Sequence, residues 1–287
     1  MIGIVRNPYS TSAPSRLVEA AAELGIPIRV IDLPTLSVEV NVNDGAIVRD
    51  AVGVVDIVSL APYLLSGYAT AVYAVRVLSQ RAYVQNPVES VLMADDKAAT
   101  AVRLSHFSFP QVPSMICPLD LRHVLSAAEK IQYPVVMKRT HGANGRWVRR
   151  ADNPTSLTEG FHELESRGPG ALIVQPQVTE FYGRSIRAVI TGQRLLAAEL
   201  RVAAAGEWRS NMAHGATQHH IDLTTTEAAL ATDAALAMGL NHAGIDILRT
   251  TRGPVILEVN SYPDFTKMLA QPGKDLTKAV LLACLPH

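Results

Sequence analysis

Asp246, Glu258 and Asn260 carry side-chain oxygens inside two otherwise apolar runs, 243–249 and 254–260. Both runs read as strands, and Gly253 with Pro254 marks a hairpin between them. Alternation puts Glu258 and Asn260 on one face, and a turn around 251–253 brings Asp246 opposite or next to Glu258. Two carboxylates and an amide among Ile245, Ile247, Leu257 and Val259 would repel or go unsatisfied unless a hard cation sits between them. Mg²⁺ prefers such oxygen ligands together with waters and phosphates. The competing reading is that the three groups cap the exposed edge of the hairpin.

A lysine in an apolar strand calls for an anion, and Lys138 stands near the end of the run 133–139. Immediately after it come Thr140, His141, Gly142, Ala143, Asn144, Gly145 and Arg146, a glycine-bracketed hairpin that can fold over phosphates and offer them backbone N–H groups. Alone, the same pattern describes many ordinary hairpin turns. Arg187 and Arg201 interrupt the apolar runs 183–189 and 195–201, each guanidinium needing a phosphate or carboxylate partner. Arg209, Ser210 and Asn211 form a polar cluster beyond them. His214, His219 and His220 lack a cysteine or carboxylate at zinc-ligand spacing and read as solvated loop residues. Arg139, Arg146, Arg149 and Arg150 either attract an acidic acceptor or form a solvated basic face.

These groups need a frame. The 287 residues suffice for about two domains. A charge balance of 26 basic against 26 acidic side chains argues against a blanket nucleic-acid-binding surface. Cys117 and Cys284 lie too far apart in the sequence for a disulfide framework and suit a reducing compartment. The uncharged run 57–75 could mimic a membrane span, but Pro62, Ser66 and Gly67 interrupt it, so no membrane association is expected. With no secretory signal visible, a cytoplasmic location is the expectation. Strands over 2–6, 28–32, 54–60 and 82–85 alternate with helices over 14–24 and 68–79, predicting a small parallel α/β domain over 1–86. Its first turn, Asn7, Pro8, Tyr9 and Ser10, lacks the glycines of a dinucleotide site. Helices are then expected over 97–106 behind Asp95 and Asp96, over 119–131, and over 226–238, the last with a Thr224/Glu227 capping box.

Taken together, Asp96-Lys97, Lys138 before Gly142 to Arg146, Gly183 to Arg187, Arg209-Ser210-Asn211, Gly244 to Asp246 and Glu258 to Asn260 resemble an ATP-grasp ligase of the RimK/LysX group. The resemblance covers nearly the whole chain and implies an α/β (α+β) ATP-grasp fold behind a small N-terminal parallel α/β domain. The ATP-grasp domain would span 87–287, with a central part over about 87–170 and a C-terminal part over about 171–287. By resemblance, Lys97 and Lys138 contact the phosphates of ATP, the loop Gly142, Ala143, Asn144 and Gly145 closes over them, and Asp246, Glu258 and Asn260 hold two Mg²⁺, or Mn²⁺. Gln175, Pro176, Gln177 and Val178 would form the hinge against adenine. Because Pro176 lacks an N–H, Gln177 is expected as the donor there. Ser185 stands where the family tends to place a ribose-binding aspartate, and Arg209, Ser210 and Asn211 are further expected nucleotide contacts. Arg187, Arg201 and Asn211 would serve the transferred phosphoryl group and the carboxylate.

The LysX branch fits somewhat better, on Asp96-Lys97-x-Ala99-Thr100, the Gly-x-x-Gly-Arg loop and Asp264-Phe265. Ser261, Tyr262 and Asp264 depart from its usual amine-side run, and His214 replaces a usual arginine; all four are candidate substrate contacts. The resemblance implies an ADP-forming ligation through an acyl phosphate, with ATP, an amino acid or amine, and a carboxylate acceptor. The first expectation is a LysX-like enzyme joining an amino acid's α-amine to the C-terminal glutamate of a small acidic carrier protein. The alternatives are a RimK-like glutamate ligase and a nucleotide-binding module without catalysis. A homodimer or homotetramer is implied by the resemblance only.

Overall fold

A computed structural model describes residues 1–8, 12–43, 45–61, 69–269 and 273–286. The expectations at Tyr9, Ser10, Pro62, Ser66, Gly67 and Tyr68 fall outside the described residues.

The N-terminal part is built on β1 (Ile2–Arg6), α1 (Ser12–Glu23) and β2 (Ile28–Asp32). In α1, Leu17, Ala20 and Ala21 are buried on one face, as the 3.6-residue spacing predicts. The strands β3 (Ser37–Asn41), β4 (Gly45–Asp50) and β5 (Gly53–Val54) then form an antiparallel sheet of their own. After it come β6 (Ser59–Leu60), α2 (Ala69–Leu78) and β7 (Tyr83–Val84), and the parallel sheet runs β2-β1-β6-β7. The strand expected over 54–60 is thus two strands in two different sheets. The N–H of Val55 still donates to Val48 at the end of the hairpin, while Ser59 and Leu60 pair with Ile2 and Gly3. The β3–β4 hairpin was not expected at all.

Next come α3 (Val88–Asp95), α4 (Lys97–His106), β8 (Met115–Pro118), α5 (Leu121–Ile131), β9 (Val135–Arg139), β10 (Val148–Ala151), α6 (Pro154–Glu165) and β11 (Ala171–Pro176). The strands form an antiparallel sheet in the order β10-β9-β11-β8, and α5 and α6 share one core with it around Phe161, Leu157 and Met137. The last sheet, β14-β13-β12-β15-β16, uses β12 (Arg184–Thr191), β13 (Arg194–Val202), β14 (Thr217–His220), β15 (His242–Thr250) and β16 (Gly253–Asn260). Helix α7 (Thr225–Ala237) covers it, opened by the predicted capping box of Thr224 and Glu227. Helix α8 (Leu276–Leu282) returns to the N-terminal layer, where Val280 and Leu281 pack with Ile2, Ile4 and Leu17.

The junction near Asn86, legible in the sequence only as a turn, is a buried hub. The Asn86 amide donates to the carbonyls of His242 (2.7 Å) and Ser261 (2.9 Å), and its oxygen accepts from the N–H groups of Asn241 and His242. One side chain therefore pins the start of β15 and the exit of β16 to the N-terminal layer. Among the described residues, no helix is long and apolar enough to cross a membrane.

Candidate active site

Between the sheet of β9 and β11 and the sheet of β12, β15 and β16 lies a cleft of about 1070 Å³. Of the residues expected to bind nucleotide, metal or substrate or to act in catalysis, all line it except His214; of the four arginines around the loop, Arg139 and Arg146 line it, whereas Arg149 pairs with Glu163 and Arg150 with Asp152 outside it.

On the floor, Arg187 of β12 stands opposite Asp246 of β15 in register, and its guanidinium grips that carboxylate twice, Nε to Oδ1 at 2.6 Å and Nη2 to Oδ2 at 2.8 Å. Burial opposes ionisation of Asp246, but the charge and hydrogen bonds of Arg187, with Arg201 and Lys138 behind them, hold its carboxyl below the usual range. Glu258 of β16 is in register with Asp246 on the other side. The Asn260 amide, oriented so that both ends are satisfied, donates to Glu258 Oε1 at 3.1 Å and accepts from Arg187 Nη2 at 3.3 Å. Asp246, Glu258 and Asn260 thus share the cleft wall as an all-oxygen set, which fits a hard divalent cation such as Mg²⁺. Among the described residues, no three His, Cys, Asp or Glu side chains converge. The amide is needed to complete the set.

Opposite this floor, Lys138 projects from β9. Burial pulls its ammonium down to about 8, partly offset by the attraction of Glu258 and Asp246. Lys97 opens α4, whose N-cap Asp96 accepts from the N–H groups of Ala98 and Ala99, and Lys97 Nζ donates to the carbonyl of Gly142 at 2.5 Å. The two lysines therefore flank the root of the glycine loop.

The loop itself bends through Gly142, Asn144 and Gly145, with φ of +134°, +59° and +68°. Its tip meets the polar cluster from the other sheet. The Gly145 carbonyl accepts from Arg209 Nη1 at 3.3 Å, and a Cβ on Gly145 would come within 2.8 Å of Asn211 Oδ1 and 3.1 Å of His214 Nε2. Arg209 is steadied by Glu207, whose carboxyl the arginine's hydrogen bonds hold down at about 2. His214 is thus not a cleft-wall residue: its ring stands behind the loop tip, with Nε2 buried and without a hydrogen-bond partner.

The hinge corrects one expectation. The N–H of Gln177 donates to the carbonyl of Pro134 at 2.9 Å and so cannot also face a base edge; the next N–H, that of Val178, makes no backbone hydrogen bond among the described residues. The Gln175 side chain turns to Ser114 Oγ (2.8 Å), and Ser185 Oγ meets Ser210 Oγ at 2.7 Å. On the substrate side, Ser261 Oγ donates to Asp95 (3.3 Å), and the Asp264 carboxylate caps the following turn while pairing with Lys267 at 2.7 Å. Tyr262 lies in the same wall, packed into the core shared with α8.

Lys267, Arg184, Trp147 and Trp208 also line the cleft, and sequence reasoning did not find them there. Lys267 and Arg184 are exposed cations with no distinguishing pattern. Asp95, a helix-start residue by sequence, also reaches the cleft; a second acid beside the Asp96 cap is the available signal.

The RimK-like ATP-grasp domain family matches residues 94–284 of the chain. A probable alpha-L-glutamate ligase of Vibrio cholerae serotype O1 is 30% identical over 289 residues, covering 98% of this chain and 93% of that protein. The crystal structure of a RimK domain ATP-grasp protein from Sphaerobacter thermophilus superposes with a TM-score of 0.76 at 19% identity, over 99% of both chains. The ATP-grasp ligase PsnB, solved with a phosphomimetic variant of its minimal precursor, Mg and ADP, is similar with a TM-score of 0.72 at 16% identity, over 99% of this chain and 97% of PsnB.

Proposed function

The chain belongs to the RimK-like ATP-grasp ligases, and from that premise we propose that it joins the α-amine of L-glutamate to a carboxylate on a peptide acceptor, forming an amide with release of ADP and phosphate. The observation that carries this reading is the cleft floor, where Arg187, Asp246, Glu258 and Asn260 meet under the buried Lys138.

The acceptor carboxylate takes the terminal phosphoryl group of ATP, and the amine nitrogen then attacks the resulting acyl phosphate as phosphate leaves. Such chemistry asks the protein for position and charge rather than for a nucleophile. Lys138 and Lys97 hold the phosphates from the side of β9 and α4. The glycine loop, latched at its tip by Arg209, excludes water above them. Asp246, Glu258 and Asn260 would hold Mg²⁺, which when bound would supply positive charge beside the phosphates. Arg187 stabilises the charge that develops on the transferred group, and Arg201 orients the carboxylate.

Glutamate as the amine is supported by the names of the curated relatives, which are probable alpha-L-glutamate ligases, and by Arg184, an exposed cation in the cleft wall that suits an acidic amino acid. A peptide acceptor is supported by PsnB, which is solved with its precursor peptide PsnA2 and AMPPNP. The LysX-like reading rested partly on Asp264. That carboxylate is engaged by Lys267 and by the turn it caps, so it is a weaker anchor for an incoming amine than an unpaired acid would be.

An ADP-release screen of the twenty amino acids, with and without a short peptide ending in a free carboxylate, tests the proposal. Turnover is expected with glutamate and the peptide together, and mass spectrometry should show the peptide extended by glutamate. Turnover that ignores free glutamate and requires a small acidic carrier protein would restore the LysX-like reading. No ADP release with any acceptor would leave the nucleotide-binding module without catalysis.

A further inference from the structure

Glu199 on β13 has no exposed surface, and its carboxylate is held from two strands. Arg201 Nε and Nη2 each approach Oε1 at 2.8 Å, and Gln218 Nε2 on β14 lies 2.9 Å from both oxygens. An unpaired carboxylate at such depth would be strongly destabilising, so these donors are what allow it to sit there. The Gln218 amide has a second proton, and it too has an acceptor, the main-chain carbonyl of Lys267 at 2.9 Å. One amide therefore links the counter-ion of a cleft arginine to the turn Phe265–Lys267. Asp264, at the start of that turn, and Lys267, at its end, line the same cleft as Arg201. At the buried Glu199 end of this network a shift of either donor would leave carboxylate oxygen bare in a low dielectric, which favours the one arrangement seen.

We propose that Glu199 and Gln218 are positioning residues: they fix the Arg201 guanidinium in the cleft and tie its place to the Asp264–Lys267 turn, so that arginine and turn read the carboxylate-bearing substrate as one surface. The proposal rests on the ligase reading above for its substrate and on the hydrogen bonds alone for its geometry. Neither residue touches the reacting atoms. Each acts through Arg201 or through the turn.

The test uses Glu199→Gln and Gln218→Met in the full chain, with Gln218→Asn, too short to reach both acceptors, as a second disruption should the methionine variant fail to fold. Two readouts are taken. In the ADP-release assay, the variants should raise KM for glutamate or for the acceptor peptide about tenfold, the effect of losing one charge-assisted hydrogen bond, while KM for ATP moves less than about twofold. In ¹⁵N-arginine spectra of the protein without substrates, the Arg201 Nε–H should be protected from exchange in the wild type and lose that protection in both variants. A fall in kcat with unchanged KM values, an equal rise in KM for ATP, or full protection of Arg201 in both variants overturns the proposal. If the wild type releases no ADP with any substrate, the ligase reading falls, and the arginine spectra decide the positioning claim by themselves.

Discussion

Asp246 and Glu258 face each other across β15 and β16 because of a single extra residue. From the turn inward, Thr250 pairs with Gly253, Arg249 with Pro254, Leu248 with Val255 and Ile247 with Ile256, and that register would next set Asp246 against Leu257. A bulge intervenes, Leu257 is left over, and Asp246 meets Glu258 instead. The carboxylates are brought together by an irregularity, on the strand that also carries Asn260.

The first prediction concerns this pair. Glu258→Gln keeps the shape and the hydrogen bond from Asn260 but removes one of two negative charges from the all-oxygen set. ADP-forming turnover should then need several-fold more Mg²⁺ for half-maximal rate. An unchanged magnesium titration would remove Glu258 from the metal set.

Lys138→Ala should lower turnover by about two to four orders of magnitude, the size expected when a charge acting on a transferred phosphoryl group is deleted. The fold should survive, since the variant relieves a buried charge with no hydrogen-bonded carboxylate of its own. Single-turnover kinetics beside a circular-dichroism melt separate the two effects. Activity near that of the wild type would exclude the phosphate role.

Gly145→Ala acts on the loop without touching its chemistry. The residue sits at φ +68°, a conformation strained for alanine, and the added methyl would push the Asn211 amide aside, so the loop tip should seat less well against Arg209 and Asn211. KM for ATP should rise by about tenfold or more, with thermal stability little changed because the loop lies outside the core. Tight ATP binding in this variant, measured by calorimetry, would show that the loop need not close in this position.

Acid stability should report His242. Its ring is buried between Thr191, which meets Nδ1 at 2.9 Å, and Phe265, and burial lowers its pKa from 6.5 to about 4. The unfolded chain therefore takes up a proton below about 6.5 that the folded chain refuses until about 4, so stability falls as pH drops through that window. The loss should be on the order of 3 kcal/mol at most. Urea denaturation midpoints between pH 7 and 4 should slope downward for the wild type and flatten for His242→Gln. Equal slopes would assign the acid limb to other groups.

Much of the molecule is legible in the sequence. Chemistry-bearing residues in apolar surroundings announce themselves, because an unpaired Lys138, Arg187, Asp246 or Glu258 in a strand is too costly to be incidental. The parallel alternation of the first domain and the capping box at Thr224 and Glu227 are local patterns, set by neighbours in the chain, and the structure repeats them. Where local pattern ran out, so did the reading. The apolar run over 54–60 looked like one strand, yet its halves join different sheets, and nothing within seven residues encodes which partner each half takes. His214 is a candidate substrate contact because it stands where the resembled family usually has an arginine, and only packing shows it behind the loop tip.

By itself the sequence determined which side chains must find partners: two lysines, two arginines within apolar strands, two carboxylates and an amide, with a glycine loop able to bend over them. Only the tertiary structure decided who the partners are. It gave Arg187 to Asp246 and Arg201 to Glu199, took the Gln177 N–H for Pro134, and used the bulge at Leu257 to turn Glu258 toward Asp246. The reason is physical: burial and charge are properties of a residue type, whereas register and pairing arise between segments far apart in the chain.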